Sequence, residues 1–124
     1  MALDLTNTTP AYLLGRLAAV YHFTEAAVTD RAVTNAQKLL TQYRADPILI
    51  LPLMEAKSSP YKRRQNPWSI TRLDKLVQEI MGKLPEDFSN IRNLDGTMIV
   101  GFHHQIQSLY TKKTEGEDSS QSNN

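Results

Sequence analysis

Apolar residues recur along this chain at the three-, four- and seven-residue spacings of amphipathic helices, and they predict five helices. The first begins at Thr9-Pro10, where a hydroxyl cap precedes a proline whose missing N–H costs the helix nothing. The second begins near Thr29-Asp30 and ends at Asp46-Pro47. The first apolar stripe comprises Leu13, Leu14, Leu17, Tyr21 and Val28. The second comprises Val33, Ala36, Leu40 and Tyr43.

The third stretch, residues 47–57, permits two interpretations. Ile48 to Leu51 form a short apolar run, which suits a buried strand as well as a helix. Pro52 argues against a central strand because it cannot donate to the ladder, so we favour a short, kinked helix. Residues 58–67, SSPYKRRQNP, are rich in turn formers and bases and predict a mobile, solvent-facing loop.

The last two helices have the clearest patterns. The fourth spans Trp68 to Met81 and is expected to stop at Gly82. Its stripe comprises Ile70, Leu73, Leu76, Val77 and Ile80. The fifth runs from near Asp95 to about Tyr110, with Gly101 as an expected close-contact point between helices. Its stripe comprises Met98, Phe102, Ile106 and Leu109. Together the five helices predict a single compact all-α bundle.

Charge divides the chain into two parts. Its 124 residues suit one domain, which we assign to residues 1–113. Residues 114–124 carry three acids, no base and no large apolar residue, and are expected to form a disordered tail. The whole chain has a formal net charge of +1, from 14 bases and 13 acids. Removing the three tail acids leaves 14 bases and 10 acids, so the predicted domain carries +4.

The sequence contains little that suggests catalysis. Cysteine is absent, which excludes thiolate chemistry and fits a cytoplasmic protein, and no glycine-rich phosphate loop is present. His103 and His104 are adjacent on a helix and point about 100° apart, so they do not converge on a metal. We therefore expect no enzyme activity, metal, cofactor or small-molecule substrate. A hydrolase built from these two histidines and an acid across the bundle remains an alternative.

Membrane association is also not expected. No apolar run approaches the roughly 18 residues that a spanning helix needs. The first nine residues lack both the basic start and the apolar core of a signal peptide.

The positive feature is a concentration of bases in the middle of the chain. Six bases fall within 19 residues beside a single acid, Asp74: Lys57, Lys62, Arg63, Arg64, Arg72 and Lys75. Cations that can approach a backbone suit phosphate binding, and Tyr61 and Trp68 could stack bases of a single strand. The alternative is an ordinary solvated loop, with Trp68 packed as the first core residue of its helix.

Three motifs in order resemble a known family. Residues 11–20, AYLLGRLAAV, are similar to the Tyr-Leu-Leu-Gly-Arg-Leu start of the C-terminal helical domain of the type I-C CRISPR Cascade large subunit. Residues 101–105, GFHHQ, resemble that domain's Gly-Tyr-Tyr-His-Gln segment, with Phe102 and His103 replacing two aromatic hydroxyls. Pro47 and Pro52 resemble its paired prolines. The resemblance covers roughly residues 9–113.

Because a methionine precedes these motifs closely, the chain looks like the separate small subunit of type I-C Cascade, made from an internal start. The resemblance implies a role in RNA-guided DNA interference, with no nuclease activity. It implies sequence-independent support of the R-loop through both the target and the displaced strand. The implied partners are the Cascade large subunit, the backbone subunits and sister copies of the small subunit.

Arg16 lies in the first matching motif, and two roles for it stay open. It could contact DNA or a neighbouring subunit, or it could hold two helices together. We therefore include Arg16 with the six central bases as candidate nucleic-acid contacts. A rival interpretation is a purely structural assembly subunit whose bases stay in solvent.

Overall fold

The computed structural model describes residues 3–29, 33–40, 47–84 and 96–122, without the side chains of residues 40, 47–50 and 112–122. Within these ranges the chain forms five helices and no strand. The helices are α1 (Pro10–Ala26), α2 (Asn35–Leu40), α3 (Pro47–Lys62), α4 (Pro67–Lys83) and α5 (Thr97–Ser122). The predicted all-α bundle of five helices is confirmed.

Helix α1 is the centre of the bundle. All ten residues from 11 to 20 are buried, and α1 packs against each of the other four helices, most extensively against α5. A helix that is apolar on all sides is typical of a buried central position. The sequence predicted only one apolar face here, because a periodic stripe does not reveal how many neighbours will surround a helix.

Two glycines allow α1 and α5 to approach closely. A Cβ atom on Gly15 of α1 would overlap the backbone carbonyl of Met98, and one on Gly101 of α5 would overlap that of Tyr12. The backbones therefore touch where each helix lacks a side chain. Gly101 is confirmed as a close-contact point, and Gly15 is its counterpart in the first sequence motif.

Helix α2 begins later than predicted, at Asn35, and is capped from two directions. The Thr34 hydroxyl accepts from the Gln37 N–H at 3.3 Å, while the Gln37 side chain accepts from the Thr34 N–H at 3.1 Å. This is a capping box. The buried carboxylate of Glu25, from α1, also accepts from the Asn35 backbone at 3.1 Å. Val33 is 51% exposed and does not join the core, and Tyr43 lies outside the described residues.

Helix α3 confirms the helical interpretation of residues 47–57 and extends it. The helix continues to Lys62 with Pro52 and Pro60 inside it, so the prediction of a ten-residue loop was wrong. Only residues 63–66 connect α3 to α4. The Gln65 side chain donates to the Thr24 carbonyl at 2.8 Å, which ties this turn to α1.

Helices α4 and α5 match their predicted positions but end later. Asn66 caps α4 by accepting from the Ser69 N–H at 2.8 Å, and α4 ends at Lys83 instead of stopping at Gly82. The backbone of α5 is helical to Ser122, past the predicted end near Tyr110. Residues 114–122 contain no large apolar residue, so this end of α5 has no apolar stripe that could hold it on the bundle. Its disorder in solution stays a prediction, as does the domain boundary at residue 113.

Candidate functional site

A cleft of about 530 Å³ lies between α4 and α5, with Arg16 of α1 among its lining residues. The α4 wall is formed by one helical face, because residues 68, 72, 75 and 79 follow each other at three- and four-residue spacings. The lining includes Arg16, Trp68, Arg72, Lys75, Glu79 and Gln105. Leu3 and Leu5, before α1, also line the cleft. The cleft therefore collects three of the seven candidate bases.

Arg16 is a fully buried cation at this cleft. Its Nε donates to Oε1 of Gln105 on α5 at 2.8 Å, which joins the two helices as one of its two predicted roles requires. Its Nη1 and Nη2 atoms are also buried, and they find no hydrogen-bond partner among the described residues. Burial lowers the pKa of Arg16, and the carboxylate of Glu79 acts in the opposite direction. The Arg16 guanidinium is thus a buried cation with two donor nitrogens that have no partner among the described residues.

Trp68 and Arg72 form the outer part of the α4 wall. Trp68 is 70% exposed, so the interpretation that it packs as a core residue was wrong. The Arg72 guanidinium carbon lies 5.7 Å from the centroid of its ring, within the range of a cation–π contact. One terminal nitrogen of Arg72, Nη2, is buried without a partner in the described part of the chain. An exposed indole and an unsatisfied cation thus lie side by side.

Of the other five candidate bases, Lys75 lines the cleft and four lie apart from its lining. Lys62 forms an ion pair with Asp74 at 2.6 Å, and Asp74 lies about 200° around α4 from Arg72. Both partners are well exposed, so this pair contributes little to stability. Arg63 and Arg64 are exposed on the turn between α3 and α4, and Lys57 is exposed on α3. Lys75, on the cleft face of α4, is also exposed.

The histidines lie in three different environments. His104 shares a 2.9 Å hydrogen bond with the hydroxyl of Tyr12, which also accepts from the Asp4 N–H at 2.9 Å. His103 is exposed and its ring packs edge-on against Phe102, while the Nδ1 atom of His22 bonds the Thr34 hydroxyl at 2.8 Å. The Tyr12 hydroxyl next to His104 already has both of these partners within the chain, the Asp4 N–H and the His104 ring.

Among the described residues, no group of three or more histidine, aspartate or glutamate side chains is arranged to hold a metal ion. None of the helices that the structure describes combines the length and the apolar character needed to cross a bilayer.

The sequence pattern predicts Glu79 on the same face of α4 as Arg72 and Lys75, but it did not predict Gln105 as the neighbour of Arg16. Gln105 is 2% exposed and lies on α5, while Glu79 lies one turn beyond Lys75 on the same face of α4. The spacing of Glu79 from Lys75 was available from the sequence. The pairing of Arg16 with Gln105 was not, because it joins residues 89 positions apart.

The match to a protein-family model identifies the class of protein. The model for a CRISPR-associated protein, Cas_Csd1, matches residues 1–110. The chain belongs to the Cas_Csd1 family. No curated protein matches it significantly. The resemblance drawn from the three motifs is thereby confirmed at the level of the family, and the chain is a CRISPR-associated protein.

The motifs of α1 and α5 that resemble the family meet at one place in the structure. The matched region includes all of α1 to α4 and the part of α5 that packs on α1. Within the motifs, Gly15 and Gly101 set the contact of α1 with α5, while Arg16 and Gln105 form the buried hydrogen bond beside it. The two motifs are therefore two sides of one helix crossing, and that crossing borders the cleft.

Proposed function

We propose that this Cas_Csd1-family chain is the non-catalytic small subunit of a type I-C Cascade complex. It supports the R-loop through sequence-independent contacts to the target strand and the displaced strand, while base pairing to the guide RNA reads the sequence. Its partners are the large subunit, the backbone subunits and sister copies. It acts in the cytoplasm and needs no metal or cofactor.

The observation that carries this proposal is the exposed indole of Trp68 beside cations on α4. A single strand presents phosphates to cations and unpaired bases to aromatic rings. Trp68 is 70% exposed next to Arg72, and Lys75 extends the same helical face by one turn. A large aromatic side chain left in water at this position is better explained by a stacking partner than by packing within the chain.

The bases on the turn extend this surface toward a strand. Arg63 and Arg64 are exposed at the start of α4, close in sequence to Trp68, and they have no role in the core. Lys57 and Lys62 add positive charge on α3, although Lys62 is partly neutralised by Asp74. Neutralising phosphates with such bases releases counterions, so binding weakens as salt rises.

Reversing the charge of the turn tests this proposal. In the assembled complex, Arg63→Glu with Arg64→Glu is expected to weaken single-strand binding because two phosphate contacts are lost. Each lost contact lowers the log–log salt slope by about 0.7 for a single strand. The measurement is strand affinity by fluorescence anisotropy over a salt series. Lys38→Glu, an exposed base on α2, is the charge control. Unchanged affinity and slope in the double variant contradict the proposal.

A second candidate is a purely structural assembly subunit, and one surface favours it. Ile99, Val100 and Tyr110 are each 44–45% exposed on α5, and with the exposed His103 and Gln107 they form one stripe on its outer face. Apolar side chains in such a stripe suit a contact with a neighbouring subunit. Two results together favour this candidate. They are incorporation of the chain into Cascade that does not depend on salt concentration, and an absence of DNA crosslinks to α4.

A further inference from the structure

We infer that the cleft between α4 and α5 is a nucleotide pocket, which holds one nucleotide of a single strand with its base against Trp68 and its phosphate against Arg16 and Arg72. This inference deepens the proposed function, on which its biological role rests. The basic surface, formed by Lys57 and Lys62 of α3 and by Arg63 and Arg64 of the following turn, is expected to bind a strand along its backbone. The pocket adds a defined binding site for a single nucleotide of that strand.

Arg16 has hydrogen-bonding capacity that the described residues leave unused. A fully buried guanidinium normally has its donors satisfied, because a buried charge without partners is costly. Arg16 uses only Nε, toward Gln105, while Nη1 and Nη2 are unpartnered among the described residues. An anion arriving from outside the chain would satisfy both. A phosphate accepts such donors in a bidentate geometry that suits guanidinium groups.

A second guanidinium at the same cleft also has a donor without a partner among the described residues. Arg72 also lines the cleft, and its Nη2 is buried without a partner in the part of the chain that the structure describes. Lys75 adds a third cation to the lining. The one acid there, Glu79, acts electrostatically on Arg16 and also lies 3.6 Å from Lys83. Three bases against one acid favour an anionic occupant.

The exposed indole of Trp68 in the cleft lining distinguishes a nucleotide from other anions as the occupant. A protein carboxylate or a free phosphate would use the guanidinium groups and leave Trp68 in water. A nucleotide uses both, since its base can stack on the indole while its phosphate reaches the cations. The cleft volume of about 530 Å³ lies within the range of small-molecule pockets.

The protein contains its own reporter for this pocket, because Trp68 is the single tryptophan of the chain. We expect dTMP and the oligonucleotide dT20 to change its fluorescence in a saturable way, with thymidine and inorganic phosphate binding far more weakly. Arg16→Met and Arg72→Gln are each expected to weaken dTMP binding by about tenfold or more, as the loss of a charge-assisted hydrogen bond implies. Lys38→Gln, on α2, is the matched charge control and should bind dTMP like the parent chain.

Two further variants keep the test decisive. Thermal melting verifies that Arg16→Met is folded, and the half-buried Arg72 provides an independent variant that leaves the central helix intact. Arg63→Gln, outside the cleft lining, should weaken dT20 binding and lower its salt dependence while leaving dTMP binding unchanged. This separates the pocket from the basic surface.

The outcomes are distinguishable. The pocket is wrong and the proposed function stands if three results occur together. These are dT20 binding that depends on Arg63, no change of Trp68 fluorescence with either dTMP or dT20, and binding of dTMP and dT20 by Arg16→Met that matches the parent chain. If dTMP binds through Arg16 but the assembled complex shows no affinity for a single strand, the pocket stands and the proposed function fails. If a glutamate-rich peptide binds through Arg16 and dTMP does not, the cleft receives a partner protein's carboxylate and the nucleotide inference is wrong.

Discussion

Individual side chains at the cleft depart from what packing alone requires. A buried arginine beside a glutamine could be replaced by two apolar residues with little loss of stability, since isolated buried charges seldom stabilise a fold. Arg16 is nevertheless at the centre of the bundle, and Trp68 leaves a large indole in water. Both side chains are easier to explain by a ligand than by folding. Sequence alone could not show this, because periodicity predicts a helical face but not which neighbour covers it.

His22 gives a prediction at the scale of one titrating residue. Burial lowers the pKa of His22 below its ordinary value of 6.5, and the Glu25 carboxylate acts against that shift. The unfolded chain therefore binds the proton more readily than the folded chain. The contribution of neutral His22 to stability is present above about pH 6.5 and is lost as the pH falls below it, with a slope of at most about 1.4 kcal/mol per pH unit for one proton.

Chemical denaturation at several pH values between 7.5 and 5 measures this slope. His22→Gln can keep a hydrogen bond to Thr34 without titrating, so its free energy of unfolding should depend less on pH than that of the parent chain. His103→Gln, at an exposed position, controls for the general loss of an imidazole. Equal slopes for His22→Gln and the parent chain contradict the prediction.

At the scale of helices, the contact of α1 with α5 organises the molecule. Two of the three motifs that carry the family resemblance, those of α1 and α5, lie at this contact, and each supplies one glycine and one polar side chain to it. The sequence predicted α1, α4 and α5 well because their apolar stripes are long and regular. It predicted α3 too short, because Pro60 and the neighbouring serines look like loop residues, although the helix passes through them to Lys62.

Replacing the contact glycines gives a prediction with an internal control. Gly15→Ala or Gly101→Ala places a Cβ where the opposite backbone lies, so each should lower the free energy of unfolding by about 3 kcal/mol or more. Gly82→Ala on α4 meets no atom within 4 Å and should instead stabilise the helix by about 1 kcal/mol. Urea denaturation of the three variants measures both effects. Equal effects of Gly15→Ala and Gly82→Ala contradict the close contact.

At the scale of the whole molecule, the fold places candidate functional residues from distant parts of the chain around one cleft. Arg16 comes from α1, Trp68 and Arg72 come from α4, and Gln105 comes from α5. Composition indicated a basic middle segment, but it grouped bases that the fold separates. Arg72 faces the cleft, whereas Lys62 of α3 pairs with Asp74, which lies on the other side of α4. The near-neutral net charge is likewise a sum over a basic body and an acidic tail.

We propose that this Cas_Csd1-family chain stabilises the R-loop without catalysing a reaction. The most direct test of this role is to purify the Cascade complex with and without the chain and to compare R-loop formation on a matched double-stranded target. We expect the complex lacking the chain to open the target more slowly or less completely, and we expect the added purified chain to restore opening. R-loop formation that proceeds equally well without the chain would contradict it.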